Sequence, residues 1–474
     1  MKRILSLTLV ALMFICCILT ACGGDGDGVE SEMTSSSTSS AVSEESASSV
    51  TESEGESETD IVESSEVIES SEESKEDESV EESSTPNEST PEDDTPEVKN
   101  VEVLFTRYTQ ASYYVMIGTC TQGASVTASE GSQSVTVDSY MGWFEVTLQN
   151  VNYAQSLNVS FSQTLDGSEI ASEQSIAVTP INPPNKGTRA LGSNYAFQFF
   201  LEKMVPDFTG GNLYPDSVIE SMKTRVSDRI KMMNEYTRGA EIIYMIVPSP
   251  MTTYPELAPD YLKQGTGTTR LDQVTKGLTD AGATVIDLRE TFNEHKYDEM
   301  PLYYKLDSHW ADYGAYLAYV ELFNHISKTF KQATPRDIDD FKWTADYYVS
   351  ADACLYLDIP QTEVYEYGYY REFDFEDPAN ITSIPRYRGM QLIYNDLTTI
   401  EKTFSTGNYA YPNCIVYRDS YCAGIYDLIP ERMNNTHYIG MWNYAWQNSL
   451  IQNERPNYVI YIIAEWNMNE VVYN

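Results

Sequence analysis

Histidine is scarce in this chain, with four in 474 residues: His295, His309, His325 and His437. Any chemistry that needs an imidazole is confined to those places. Positive charge is scarce too, with 30 Lys and Arg against 72 Asp and Glu. Phosphate recognition needs clustered basic side chains, so the composition argues against nucleic acid as a partner. The seven cysteines show no zinc-site spacing. No metal or nucleotide cofactor is implied. The apolar run from Ile4 to Leu19 is too short, and wrongly flanked, to be a comfortable membrane span.

That run does carry a targeting pattern. Lys2 and Arg3 precede it, and Leu19-Thr20-Ala21-Cys22 closes it before Gly23-Gly24. The pattern resembles a bacterial lipobox. It predicts a lipoprotein signal peptide over residues 1–21, cut before Cys22, whose thiol is lipidated. Two or more acyl chains anchor stably where one is marginal. The expectation is an exported chain, lipid-anchored to the cell membrane and facing outside, at a Gram-positive cell surface. Residues 22–99 then form a linker. From residue 23 to 99 there are 26 acids, two lysines, many Ser and Thr, and hardly an aromatic side chain. Such a segment cannot bury enough apolar surface to offset its ordering entropy, and its charges repel. It reads as a disordered tether.

Residues 100–182 change character. Short alternating runs begin at Val101, Ser112, Ser125, Ser134, Trp143, Leu157 and Gln174, punctuated by Gly, Ser, Asn and Asp. Six or seven short strands at this spacing predict a small all-β sandwich. Gly123-Ala124-Ser125-Val126 and Gly142-Trp143-Phe144 resemble bacterial Ig-like modules, which serve mostly as spacers. Residues 185–474 read as alternating strand and helix. Val218, Met222, Val226, Ile230 and Met233 share one helical face. Glu241 to Val247 is a continuous apolar run ended by Pro248, as a buried parallel strand should be. Thr284–Leu288, Cys414–Tyr417, His437–Met441 and Tyr458–Ile463 are further strands. Leu271–Leu278, Ala311–Phe330 and Tyr421–Arg432 are expected helices. The implied fold is an α/β domain with a mostly parallel sheet and helices on both faces, whose ligands sit at strand carboxyl ends. Residues 335–410 are expected to be an irregular insertion forming part of a substrate wall.

Two stretches carry candidate chemistry. In Tyr303-Tyr304-Lys305-Leu306-Asp307-Ser308-His309-Trp310, a carboxylate two residues before a histidine can orient the ring on a tight turn. About 110 residues later, Ile415-Val416-Tyr417-Arg418-Asp419-Ser420 is an apolar run ending in a serine at a turn. A serine hydroxyl needs a base within reach, and a neutral imidazole suits that task. Ser420, His309 and Asp307 are the candidate nucleophile, base and orienter. Taken alone, Asp-x-His is a common pair and a serine after a strand is more often a helix cap. His325 reads as a packing or surface residue, His437 has no evident partner, and His295 sits in a charged stretch. The 36 tyrosines suit either sugar-stacking surfaces or half-polar cores. After processing, Cys120, Cys354, Cys414 and Cys422 remain besides Cys22. A Cys414–Cys422 staple around Ser420 and free buried thiols are both open.

The two stretches together resemble the DHHW and AlgX/AlgJ-type proteins. Tyr303 to Trp310 with Gly314-Ala315 is similar to their signature. Val285-Ile286-Asp287-Leu288-Arg289 is similar to the strand before it, and Val247-Pro248 with Tyr254-Pro255-Glu256 to an earlier strand and loop. Cys414 to Tyr421 is similar to their serine block and Pro456 to Tyr461 to their last strand. The resemblance implies an SGNH-hydrolase-like, flavodoxin-like fold in which the Asp-x-His block precedes the serine block. It also implies O-acetylation of an exported polysaccharide through an acyl-serine, with a membrane O-acyltransferase as acyl supplier and no cofactor. The backbone amide of Ser420 would be the first oxyanion donor. Candidate substrate contacts are Trp310, Tyr421, Trp442 and Tyr254. Tyr444 and Trp446 are further candidates for sugar-stacking walls, with a core role equally open for these aromatics. A carbohydrate esterase would use the same triad, and a non-catalytic glycan-binding lipoprotein is the reading from another class. The chain departs from the family pattern at Arg418, where a glycine is usual, at Ser308 for His, at Ala311 for Thr and at Pro250 for Lys.

Overall fold

The computed structural model describes residues 97–108, 114–150, 157–178, 189–191, 198–200, 204–258, 262–305, 307–349, 365–380 and 400–474. The expected signal peptide, Cys22 and all but the last residues of the 22–99 linker lie outside the described residues, as does Cys354. Thr90–Asn474 form one compact unit.

The first seven strands are all antiparallel. They are β1 (Glu102–Tyr108), β2 (Tyr114–Thr119), β3 (Ser125–Glu130), β4 (Gln133–Asp138), β5 (Trp143–Leu148), β6 (Leu157–Leu165) and β7 (Ser168–Val178). They make a sheet of order β1-β2-β5 and one of order β4-β3-β6-β7. Period-two alternation drives this arrangement: Tyr114, Met116, Phe144, Val146, Val159 and Phe161 enter one shared cluster. Val115 and Ile117 point away from that cluster and are buried as well, so the middle strand β2 is covered on both faces.

Beyond the short pair β8 (Arg189–Leu191) and β9 (Gln198–Phe200), the chain builds an α/β layer structure. Its strands are β10 (Glu241–Val247), β11 (Thr284–Asp287), β14 (Lys402–Ser405), β15 (Asn413–Arg418), β16 (Asn435–Tyr438) and β17 (Tyr458–Ala464). They order as β11-β10-β17-β15-β16-β14, all parallel except the edge strand β14. The last strand in sequence is thus central in space. Alternate residues of β10, β15 and β17 feed two separate cores. Ile243, Met245, Val416, Ile460 and Ile462 face one side, with the helix Asp312–Ile326. Ile242, Ile246, Ile415, Val459 and Ile463 face the other, with the helices Asp216–Tyr236 and Arg270–Asp280. On that second side the register sets Tyr244, Tyr461 and Tyr417 in a stack, with centroid spacings of 4.7 and 4.8 Å. These tyrosines fill a half-polar core rather than a sugar-binding surface.

Two expected features differ. Residues 341–349 and 365–373 form a regular antiparallel pair, β12 (Phe341–Val349) and β13 (Tyr365–Phe373), where an irregular insertion was expected. Tyr421–Arg432 is not one helix but two short 3-10 turns, Ser420–Gly424 and Pro430–Arg432. A Cβ on Gly424 would lie 2.5 Å from Trp310 Nε1, so the chain passes too close to that indole for any larger residue there. The Gly424 carbonyl goes to Arg371 of β13 instead of down a helix, and Pro430 cannot continue one.

Candidate active site

The Asp-x-His block folds as a narrow hairpin-like turn. Tyr303 and Trp310 form an antiparallel bridge, the Tyr304 amide donates to the His309 carbonyl at 3.2 Å, and the Ala311 amide to Leu302 at 2.8 Å. The helix that follows starts hard against this turn: a Cβ on Gly314 would sit 2.5 Å from the Leu302 carbonyl oxygen. At the tip, Asp307 Oδ1 accepts from the His309 amide at 3.0 Å and from His309 Nδ1 at 2.7 Å. One carboxylate oxygen therefore fixes both the turn and the ring, which is why two-residue spacing works. Asp307 is fully buried. With Nδ1–H donating to Asp307, hydrogen-bond logic assigns Nε2 as the acceptor. Nε2 lies 2.9 Å from Ser420 Oγ.

Ser420 follows β15 at the carboxyl edge of the sheet, beside the ends of β17 and β10. The serine turn is held by its neighbour Asp419, a residue the sequence reading passed over. Asp419 is buried. Its Oδ1 accepts from the Tyr421 amide at 2.9 Å, and its Oδ2 accepts from the Ala464 amide at 2.8 Å and from Asn467 Nδ2 at 2.7 Å. Burial pushes its carboxyl up from the usual range, against the pull of these three donors. Because Asp419 takes the Tyr421 amide, the amide after the serine is already used, and the Ser420 amide remains the first oxyanion candidate. Next to this turn, Glu465 Oε2 accepts from the Ser249 amide and from Thr252 Oγ1, both at 2.7 Å, tying the end of β17 to the loop after β10. Burial raises the Glu465 carboxyl too.

Arg418, at the place where the resemblance leads one to expect glycine, is fully buried and directed elsewhere. Its Nε donates to the Ile439 carbonyl at 3.2 Å and one Nη to Ile400 at 3.3 Å, and its guanidinium lies 5.0 Å from the Tyr426 ring and 5.4 Å from that of Tyr438. It braces the strand ends on the face that packs against the helix Asp312–Ile326.

The proposed substrate contacts divide. Trp310 is 3% exposed and donates from Nε1 to the Tyr421 carbonyl at 2.9 Å, so it ties the two blocks together. Tyr421 is fully buried between His309, Trp310 and Trp466, and its hydroxyl donates to the Ser308 carbonyl. Tyr254 is buried against Tyr303 and Tyr297. A buried ring offers no face to a sugar, so these three are corrected to packing roles. Tyr444 is buried, and Trp446 packs on Tyr417. Trp442 is different: it is 52% exposed, with φ of 62°, and its amide donates to the Arg418 carbonyl at 3.0 Å, two residues before Ser420. Cys120, Cys414 and Cys422 are free and buried, so no staple joins Cys414 to Cys422. Burial pushes both of these thiols up to about 12, leaving them inert. His437 does have partners, Glu454 and Glu401.

A parallel-centred sheet with a Ser-His-Asp chain at its carboxyl edge defines an SGNH-hydrolase-like class of site. Residues 212–351 match the model of an SGNH hydrolase-like domain described for the acetyltransferase AlgX. The match takes in Asp307 and His309 and ends before Ser420. No curated protein matches. Among solved structures, Bacillus cereus PatB1 with a sulfonyl adduct is similar at 18% identity, over 53% of this chain and 90% of that one, with a TM-score of 0.39. A DHHW family protein from Eubacterium siraeum is similar at 11% identity, over 66% and 95%, at 0.39. The O-acetyltransferase domain of Pseudomonas putida AlgJ is similar at 14% identity, over 61% and 94%, at 0.36. All three scores lie below 0.5, so these likenesses bear on neither mechanism nor substrate.

Proposed function

We propose that this protein transfers acetyl groups to an exported polysaccharide through an acetyl-Ser420 intermediate. The hydrogen-bonded chain from Ser420 through His309 to Asp307, in a domain of the AlgX acetyltransferase type, is the observation that carries the reading. His309 Nε2 takes the Ser420 proton as Oγ attacks the acyl carbonyl of a donor. The imidazolium, stabilised by Asp307, then protonates the leaving group. A sugar hydroxyl, deprotonated by the same nitrogen, releases the acetyl group. Trp442, exposed and pinned to the strand that carries the serine, is the aromatic best placed to meet a sugar ring. Cys22 and the acidic tether would hold the domain outside the membrane, where a membrane O-acyltransferase supplies the acyl group.

Intact-mass spectrometry of the purified protein after incubation with an activated acetyl ester tests this. The expected result is a gain of one acetyl group that Ser420→Ala abolishes. Folded protein that gains nothing would overturn the acyl-serine. A carbohydrate esterase with the same triad is the second reading, favoured by the partial exposure of Ser420 and of the His309 ring, 14% exposed, which lets water reach the acyl group. Acceptor glycans that speed loss of the adduct support transfer; loss at the same rate without them supports hydrolysis.

A further inference from the structure

The all-β region reaches the Asp307–His309 turn directly. On β5, Phe144, Val146 and Leu148 point into the β-region's own core, and Trp143 and Glu145 point out. Trp143 stacks on Tyr367 of β13 at 5.7 Å and 16°. Tyr140, just before the strand, meets Tyr369 edge-on at 4.9 Å. Two residues beyond Trp143, Glu145 Oε1 accepts from Lys305 Nζ at 2.6 Å. The Glu145 side chain is 8% exposed and that of Lys305 30%. Lys305 lies two residues before Asp307, and its backbone amide donates to the Glu366 carboxylate of β13. Arg371 on the same strand grips the Gly424 carbonyl at 2.7 Å and Asp427 at 2.9 and 3.0 Å, in the segment that begins at Ser420. One strand thus holds both blocks of the site, and the β-region packs on that strand and on the turn.

An ion pair this sheltered is weak evidence for stability, since two apolar side chains of similar size would serve as well or better. Its use here is geometric. We propose that Glu145 is a positioning residue: through Lys305 it fixes the turn that carries Asp307 and His309, making the all-β region a working part of the site rather than a spacer. The inference rests on the functional reading above for its kinetic consequence, and on the contacts alone for its structural one. A base displaced by a fraction of an ångström from its nucleophile loses rate without losing substrate affinity.

The test uses the purified full chain and turnover of an activated acetyl ester, with thermal melting alongside. Lys305→Met and the double variant Glu145→Leu/Lys305→Met should each lower kcat by about tenfold, with KM moving less than about twofold. The double variant should melt within a few degrees of wild type, and Lys305→Arg, which still donates to Glu145, should keep most of the activity. A double variant that melts and turns over like the wild type overturns the proposal. So does a kcat loss that only follows lost melting temperature. If the wild type itself shows no Ser420-dependent turnover, the functional reading fails, and the downfield proton resonance of His309 Nδ1–H decides the positioning by itself. It should be sharp in the wild type and broadened in the double variant; equal sharpness in both would sink it.

Discussion

His309 and His437 sit near neighbouring strands of one sheet, and each gives its Nδ1 to a carboxylate, at 2.7 Å to Asp307 and at 2.5 Å to Glu454. They part at the other nitrogen. His309 Nε2 faces the Ser420 hydroxyl at 2.9 Å, and His437 Nε2 faces the Glu401 carboxylate at 2.9 Å. A carboxylate only accepts, so the two glutamates favour the form of His437 in which both nitrogens donate, the imidazolium, and raise its pKa. A hydroxyl can donate, so His309 is free to be neutral and to take a proton. A carboxylate beside a histidine therefore does not make a base; the partner on the far nitrogen decides. The two aspartates teach a parallel lesson. Asp307 orients the His309 ring, whereas the carboxylate of Asp419, next to Ser420 in sequence, bonds the Tyr421 and Ala464 amides and Asn467.

The first way to break the comparison is to remove the pair that should react. Ser420→Ala or His309→Ala should lower acetyl-ester turnover by roughly ten-thousand-fold or more, with far-ultraviolet circular dichroism unchanged. Asp307→Asn comes next. An amide there can present its N–H to Nδ1 and so select the tautomer whose Nε2 carries the proton, for a loss of roughly a thousand- to ten-thousand-fold in kcat. A loss below tenfold would mean that the ring needs no orienter. Asp419→Asn separates the second aspartate from the first. It sets an amide N–H₂ against the Ala464 and Asn467 donors, and each buried donor left unsatisfied costs about 1–3 kcal/mol. Urea unfolding should register that loss of stability. If stability holds and only turnover drops, Asp419 belongs with the chemistry instead.

Much of this was legible from residue order. The strand Glu241–Val247 could be read to the residue, because a strand buried on both faces is a continuous apolar run and Pro248 stops it. Ser420, His309 and Asp307 were singled out through scarcity of histidine and through family resemblance, since neither Asp-x-His nor a serine after a strand is distinctive alone, and the structure sets them in one hydrogen-bonded chain. Three of the four substrate aromatics, Trp310, Tyr421 and Tyr254, were misread because sequence cannot tell an aromatic side chain that covers a ligand from one that closes the core. Trp310 is needed to join two blocks 111 residues apart. The Tyr421–Arg432 helix failed because Trp310 and Arg371, both outside the segment, fix the chain at Gly424. Strand β13 carried a partial signal that was missed: Tyr365, Tyr367, Tyr369 and Phe373 recur at every second place, but Arg371 among them and Tyr370 on the other face hid the period. Glu145, Glu366 and Arg371 left no sequence trace, as their partners lie 160, 61 and 53 residues away.

The smallest expected effect falls on the other histidine. Its pairing with Glu454 first, then Glu401, raises the His437 pKa above its ordinary 6.5, despite burial. A folded-state pKa above the unfolded one means stability that is fully present below about pH 6.5 and lost as pH rises through the folded value. His437→Gln removes that contribution at every pH. The melting-temperature gap between wild type and variant should therefore be widest near pH 6, where the glutamates are ionised and the imidazole charged. It should narrow steadily above that, as the wild-type ring loses its proton. The gap should also be modest and shrink with salt, because Glu401 and Glu454 have side chains 54% and 37% exposed and solvent screens them. Acetyl-ester turnover should stay within about twofold, since an imidazolium has no free lone pair with which to accept a proton. A gap that widens with pH would mean that His437 is held neutral. The distinction between the two histidines would then rest on Ser420 alone.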